Sequence, residues 1–241
     1  NHHTGAVVKY TQSSKVSNQN IGTELKNAIA RRNQGLAGRV NYNWNYRYFI
    51  DFNFGYNGSE NFAKGDRFGF FPAFSLAWNI AEEPFIKKHL KWMNMFKVRF
   101  SYGKVGNDKI RHNNADVRFP YLYAIGEGNS YDWANYGSSY GFTGLTYTEL
   151  ASDQVTWEVA TKKDLGVDLA LFDDKFKLTV DYFDESRSGI FMQRQYLPGM
   201  IGLQGKSPFA NVGKVNSKGF DGNFSFKQRF NQVSLTVRGN M

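Results

Sequence analysis

Apolar and polar side chains alternate residue by residue in six or more stretches of this chain, and the apolar members are large. Val40, Tyr42, Trp44 and Tyr46 stand against Asn41, Asn43 and Asn45; Ile50, Phe52, Phe54 and Tyr56 stand against Asp51, Asn53 and Asn57. Phe96, Val98, Phe100 and Tyr102 oppose Lys97, Arg99 and Ser101. A period of two is the signature of β-strands, whose side chains point to opposite faces in turn. The sequence therefore predicts an all-β, antiparallel protein with one greasy and one polar face per strand.

Both a soluble sandwich and a membrane barrel alternate this way. In the first the apolar face is the core; in the second it meets lipid and the polar face surrounds water. No run reaches the ~18 to 20 apolar residues of a membrane helix. The longest, Phe68 to Trp78, holds Gly69, Pro72 and Ser75. If the chain crosses a membrane, it crosses with strands.

The pattern places strands at 5–13, 36–46, 48–58, 68–79, 95–103, 165–171, 176–182 with an extension over 187–196, and a last hairpin through Phe220–Phe230 and Val233–Val237. Tight turns fall at Tyr46-Arg47, Asp173-Asp174 and Asn231-Gln232, and Lys64-Gly65-Asp66 turns the loop 59–67. A polar stretch, 14–35, reads as a loop with a helical turn around Glu24 to Arg31. Glu82-Glu83-Pro84, followed by Ile86, Leu90 and Met93, predicts one short amphipathic helix. Residues 104–156 lack periodicity and read as a long irregular functional loop. By parity the short connections share one rim, and loops 59–67, 104–156 and 197–208 share the other, the arrangement of outer-membrane barrels. Aromatics gather at the short-turn rim: Trp44, Tyr46, Tyr48, Trp78, Trp92, Phe96, Phe172, Phe176 and Phe230. Rings with one apolar and one polar end favour a membrane interface.

Composition adds little. The 241 residues include 22 Phe and 14 Tyr and no cysteine, so no disulfide or thiolate metal site is available. A formal charge of +9 is scattered singly rather than gathered in a stripe, which argues against a nucleic-acid partner. No basic-then-apolar leader opens the chain, which reads as a mature or internal piece of something longer.

Certain words of the sequence carry more. Tyr48 through Phe62 (YFIDFNFGYNGSENF), Arg67 to Pro72 (RFGFFP), Phe100-Ser101-Tyr102-Gly103 with Gly106-Asn107-Asp108, Leu165-Gly166-Val167-Asp168, Asp181-Tyr182-Phe183, Asn211-Val212-Gly213 and Asn216 to Phe220 occur in one order. They resemble the SusC/RagA family of TonB-dependent outer-membrane transporters of Bacteroidetes, over roughly residues 36 to 235. The resemblance implies about eight or nine strands of an antiparallel transmembrane β-barrel of about 22, with long extracellular loops and one short periplasmic helix. It implies residues 1–241 as part of the barrel domain, with plug, TonB-contacting segment and signal peptide absent. It also implies TonB-dependent import of an oligosaccharide or oligopeptide, a SusD-like surface lipoprotein as partner, contact with TonB through the plug, and a location in the outer membrane. The rival is a soluble β-rich carbohydrate-binding or adhesive domain.

The residues read as transport groups, not an active site, and call for no cofactor. Gly137-Ser138-Ser139-Tyr140-Gly141 matches a nucleophile elbow, but His2, His3, His89 and His112 all precede Ser139, so no downstream base is present. Gly205-Lys206-Ser207 lacks the leading glycine of a phosphate loop, since position 200 is Met200. His2-His3 is a pair without further metal ligands. Glu82-Glu83 and Asp173-Asp174 lie at a helix start and a turn, where carboxylates answer free N–H groups. Tyr121, Tyr123, Tyr131, Trp133, Tyr136, Tyr140 and Tyr147 in the long loop are the substrate-binding candidates, because flat rings stack on sugars and equally on peptides. Asp51, Asn53, Arg99, Asp168 and Asp181 are the lumen-lining candidates, with Lys97, Lys177, Lys227 and Arg238 beside them.

Overall fold

A computed structural model describes residues 1–16, 28–112, 115–135, 138–194, 198–202, 206–230 and 233–241. Nine strands form one antiparallel meander: β1 (His2–Lys15), β2 (Arg31–Trp44), β3 (Tyr48–Ser59), β4 (Phe68–Asn79), β5 (Met93–Asn107), β10 (Glu158–Leu171), β11 (Phe176–Gln193), β12 (Phe209–Phe230) and β13 (Val233–Asn240). The remaining strands make two separate hairpins, β6 (Ile110–His112) with β7 (Ala115–Val117), and β8 (Ala124–Asn135) with β9 (Ser138–Glu149).

The register shows why alternation was so regular. Tyr42, Ile50, Leu76, Phe100, Leu165, Tyr182 and Phe220 stand directly opposite one another in a single transverse row from β2 to β12. The next row is Asn43, Phe49, Ala77, Arg99, Gly166, Asp181 and Asp221, on the other face. A slip of one residue anywhere would exchange the faces, so the pattern itself fixes the pairing. The apolar row is uncovered: Ile50 is 49% exposed, Leu76 45% and Leu165 50%.

No second sheet lies over that face among the described residues, so the two-sheet sandwich is not the architecture. The fully buried large side chains, Phe62, Ile110 and Val155, sit instead under the long loops, with Val117, Trp157, Phe191 and Phe209 packed against them. Burial of this kind stabilises by roughly 1.5–3 kcal/mol per large side chain. It holds the loops to the rim rather than one sheet to another.

Turn chemistry follows the residues. Arg47 N–H bonds Trp44 C=O at 2.9 Å, with Asn45 and Tyr46 at φ 49° and 56°, the left-handed pair that matches the twist of a tight hairpin. Gly65 turns loop 60–67 at φ +117°. The helical signal gives a 3-10 turn over Ile80–Glu82 and α1 over Pro84–His89, shorter than expected. Leu90 caps it and Met93 already opens β5, where it pairs with Leu171 of β10.

Two expectations need correction. The section 104–156 is not irregular: β5 runs on to Asn107, and two hairpins occupy much of the rest. Strand β2 begins at Arg31, ahead of position 36, because its outer end pairs with β1 through Lys15↔Arg31. Most of the expected helical turn from Glu24, and the turn Asn231-Gln232, lie outside the described residues.

Candidate functional site: the polar face and the long-loop rim

Two charged groups occupy the middle of the polar face. On β5, Arg99 Nε donates to Asp168 Oδ2 at 3.0 Å and Nη2 to Asp181 Oδ2 at 2.8 Å, joining three strands. Arg39 on β2 pairs with Asp51 on β3, its Nε donating at 2.9 Å, while Asn53 Nδ2 donates to the other Asp51 oxygen at 2.8 Å. Lys97 Nζ lies 4.4 Å over the Phe49 ring. The sequence thus picked out Asp51, Asn53, Arg99, Asp168 and Asp181, and the fold brings them onto one face in two clusters. Between the clusters lies a concavity of about 570 Å³ whose lining includes Arg39, Asp51, Ser75, Arg99 and Asp164. Asp164 Oδ1 in that lining, and Asp181 Oδ1 beside Arg99, are buried without a hydrogen-bond partner among the described residues.

Towards the long loops the polar face turns aromatic. Phe71 projects between Gly69 and Gly106, where a Cβ on Gly106 would lie 2.0 Å from its ring, and meets Trp157 edge-on at 5.1 Å. Asn211 then ties the returning loop down: its Nδ2 donates to Thr156 C=O at 2.8 Å and to Gly189 C=O at 2.7 Å, and its Oδ1 accepts from Thr156 N–H at 2.9 Å. Gly189, at φ +70°, is the unpaired bulge residue between Ser188 and Ile190. Ser152 Oγ donates to Phe209 C=O at 2.6 Å, and Asn61 Nδ2 to Asp108 C=O at 3.1 Å. In the sequence Asn211 and Phe62 stand out only within the family-like words, and nothing there marks Trp157.

Of the loop aromatics, Tyr121 lines a concavity of about 650 Å³ with Phe119, Arg67, Glu60 and Asn33. Tyr123 is exposed and meets Tyr147 edge-on at 6.0 Å. Tyr131, Trp133 and Tyr140 lie on the β8–β9 hairpin, where Trp133 stands opposite Tyr140 and Tyr131 opposite Phe142. Tyr136 lies outside the described residues. Ser139 belongs to strand β9, opposite Ala134, and so not to a strand-to-helix turn.

At the opposite rim Trp44, Tyr48 and Trp78 stack in sequence, with centroids 5.6 and 6.3 Å apart. Tyr48 Oη and Trp78 Nε1 both donate to Glu83 Oε1, at 2.7 and 3.1 Å, with Arg47 3.8 Å from the same carboxylate. Glu83 makes no side-chain cap on α1, so its role differs from the expected helix-start one. Those bonds, first from Tyr48 and then from Trp78, hold its carboxyl below the usual carboxylate range.

An open, one-layer meander with a bare apolar face, a charged opposite face and an aromatic rim is the wall of a membrane barrel. The TonB-dependent receptor-like β-barrel family matches residues 1–240. The chain belongs to that family. TonB-dependent receptor P3 of Formosa agariphila is 32% identical over 194 residues, 80% of this chain and 18% of that protein. TonB-dependent receptor SusC of Bacteroides thetaiotaomicron is 30% identical over 159 residues, 65% of this chain and 15% of that protein. The RagAB peptide transporter structure superposes with a TM-score of 0.75 at 17% identity, covering 99% of this chain and 27% of the transporter chain. The barrel segment is of the SusC/RagA type and resides in the outer membrane. It spans less than a fifth of the length of the two TonB-dependent receptors it matches, P3 and SusC.

Proposed function

We propose that this barrel segment forms part of the wall of a TonB-dependent importer that takes up an oligosaccharide or an oligopeptide, working with a SusD-like surface lipoprotein. The observation that carries the reading is the continuous polar face, whose ion-paired clusters at Arg39–Asp51 and Arg99–Asp168–Asp181 stand behind a bare apolar band. Such a face tolerates charge only where water or other protein covers it. In this reading Asp51, Asn53, Arg99, Asp168 and Asp181 line the lumen, where the plug and passing solute meet them. The aromatics Tyr121, Tyr123, Tyr131, Trp133, Tyr136 and Tyr140 meet substrate at the extracellular mouth.

The wall itself breaks no bond. Energy enters through the plug, contacted by TonB, and the wall supplies a rigid wet passage. Release is then a population shift, driven by different substrate affinities of the closed and open states. Support for a peptide comes from the likeness to the RagAB peptide transporter, while a glycan is what the resemblance of the sequence words to the family implies.

The test is uptake by cells carrying the full-length receptor and its lipoprotein, supplied with labelled oligosaccharides or oligopeptides. One class accumulates, accumulation stops when TonB is deleted, and Tyr121→Ala or Tyr123→Ala weakens binding about tenfold, the scale of one lost ring contact. Uptake of neither class, or uptake indifferent to TonB, overturns the proposal.

A further inference from the structure

At the short-turn rim the chain holds two bulky aromatics in left-handed backbone, Tyr46 at φ 56° and Phe172 at φ 57°. That conformation is disfavoured for an L-residue, because its Cβ crowds the following carbonyl oxygen. Neither ring is buried in return: Tyr46 is 56% exposed and Phe172 53%. Phe172 stacks on Trp92 at 5.5 Å, its N–H bonding Trp92 C=O at 2.8 Å, and Trp92 and Phe85 of α1 are exposed as well. The stacked Trp44–Tyr48–Trp78 rings stand at the same short-turn rim. Strain that presents apolar rings outward is explained by a surrounding that is neither water nor hydrocarbon.

The charges beside those rings are unbalanced. The rim's acids are largely answered within the chain: Glu82 by Lys87 at 2.8 Å, Glu83 by Arg47 at 3.8 Å, and Asp174 by Lys177 at 3.3 Å. Lys88 lies in the last turn of α1, Lys91 just after the helix, and Lys175 three residues after Phe172 in the β10–β11 turn; all are exposed and none forms an ion pair among the described residues. Asp173 is the one acid of that turn without a partner cation, and its N–H takes Asn94 Oδ1 at 2.9 Å.

We propose that this rim, centred on α1 and the β10–β11 turn, docks anionic phospholipid headgroups of the leaflet it faces. Lys88, Lys91 and Lys175 meet the phosphates, while Phe85, Trp92 and Phe172 sit at the acyl boundary. The partner's charge is set by complementarity with the lysines, and its nature as a lipid by continuity with the apolar band above. The inference rests on the membrane reading of the barrel.

The test uses the full-length receptor, delipidated in detergent and titrated with short-chain phosphatidylglycerol or phosphatidylcholine, with bound lipid counted by native mass spectrometry. Wild type prefers phosphatidylglycerol, and each of Lys88→Gln, Lys91→Gln and Lys175→Gln lowers that preference about fivefold. Lys64→Gln, at the long-loop rim, leaves it unchanged. Trp92→Ser weakens both lipids while keeping their ratio, a result that separates ring from charge without touching the lysines. A heat-modifiable band on a denaturing gel confirms that each variant is folded. Equal affinity of the wild type for the two lipids, an unaltered preference in the triple lysine variant, or an equal loss in Lys64→Gln overturns the proposal. A receptor that stays monodisperse in water without detergent overturns the membrane reading instead.

Discussion

Between Arg99 on β5 and Asp181 on β11 stands one residue of β10, Gly166, and a Cβ built there would lie 2.1 Å from Asp181 Oδ1 and 2.7 Å from Arg99 Cζ. The missing side chain leaves the lane through which the guanidinium reaches two strands away. Gly166→Ala must push one of those flexible ends aside, and the pair is only part-buried, so the expected cost is about 1–2 kcal/mol. Equilibrium unfolding of the full-length receptor in detergent reads it, and the Gly166→Ala cost shrinks in an Asp181→Ala background. Additive costs would show that the lane has no bearing on the pair. Glu83 gives a second handle at this scale. Its carboxyl is lowered from 4.5 in the folded chain by the Tyr48 and Trp78 hydrogen bonds. A depressed folded value stabilises above the unfolded value and is lost as pH falls through the folded one. The Trp44–Tyr48–Trp78 stack therefore holds near neutrality and loosens in acid below about 4.5. Trp78 emission should shift over that range in wild type and lose the transition in Glu83→Gln, which keeps an acceptor without a titrating charge.

Each strand carries its two solvents on opposite faces, and β11 is the place to test that. Leu178 and Val180 lie in rows with Leu169, Phe224 and Val167; Thr179 and Asp181 lie in rows with Asp168, Asn223, Gly166 and Asp221. Spin labels at positions 178 and 180 of the reconstituted receptor should be relaxed by oxygen dissolved in lipid. Those at 179 and 181 should respond to a water-soluble relaxant, and similar responses at all four positions would refute the assignment of the faces. The same two-solvent rule explains what could be read from sequence. Phe68–Asn79 is β4 to the residue, because every second side chain there answers to lipid. The β8–β9 hairpin was not legible, since Gly126, Gly128, Gly141 and Gly144 interrupt a ribbon that stands apart from the main sheet. Contacts far apart in the chain were equally invisible: Glu83 serves Tyr48, 35 positions away, and Asn211 serves Thr156, 55 positions away. Alternation reports which surroundings a face meets, and it carries no information about which distant residue a polar tip will find.

At the scale of the whole molecule the sheet has two open edges. Among the described residues β1 offers 14 residues with no strand on its outer side, and β13 offers 8, pairing with the Asn223–Phe230 half of β12. In an antiparallel ladder roughly every other residue turns its N–H and C=O to the open side. In hydrocarbon each such unpaired group costs several kcal/mol, so the two edges together cost tens of kcal/mol, more than the net stability of a folded domain. Polar side chains cannot relieve this, because the lipid-facing rows leave the edges dry. Strands from elsewhere in the receptor, or from a second copy, must complete the ladder wherever this sheet meets a bilayer. Residues 1–241 produced alone and offered to lipid vesicles should therefore give no heat-modifiable, protease-resistant band, whereas the full-length receptor gives one. Supplying the missing barrel strands as a separate polypeptide should restore the band, since pairing needs proximity and not a covalent link. A monomeric, protease-resistant form of residues 1–241 in lipid would mean that the edges find each other, and that nine strands suffice to close the wall.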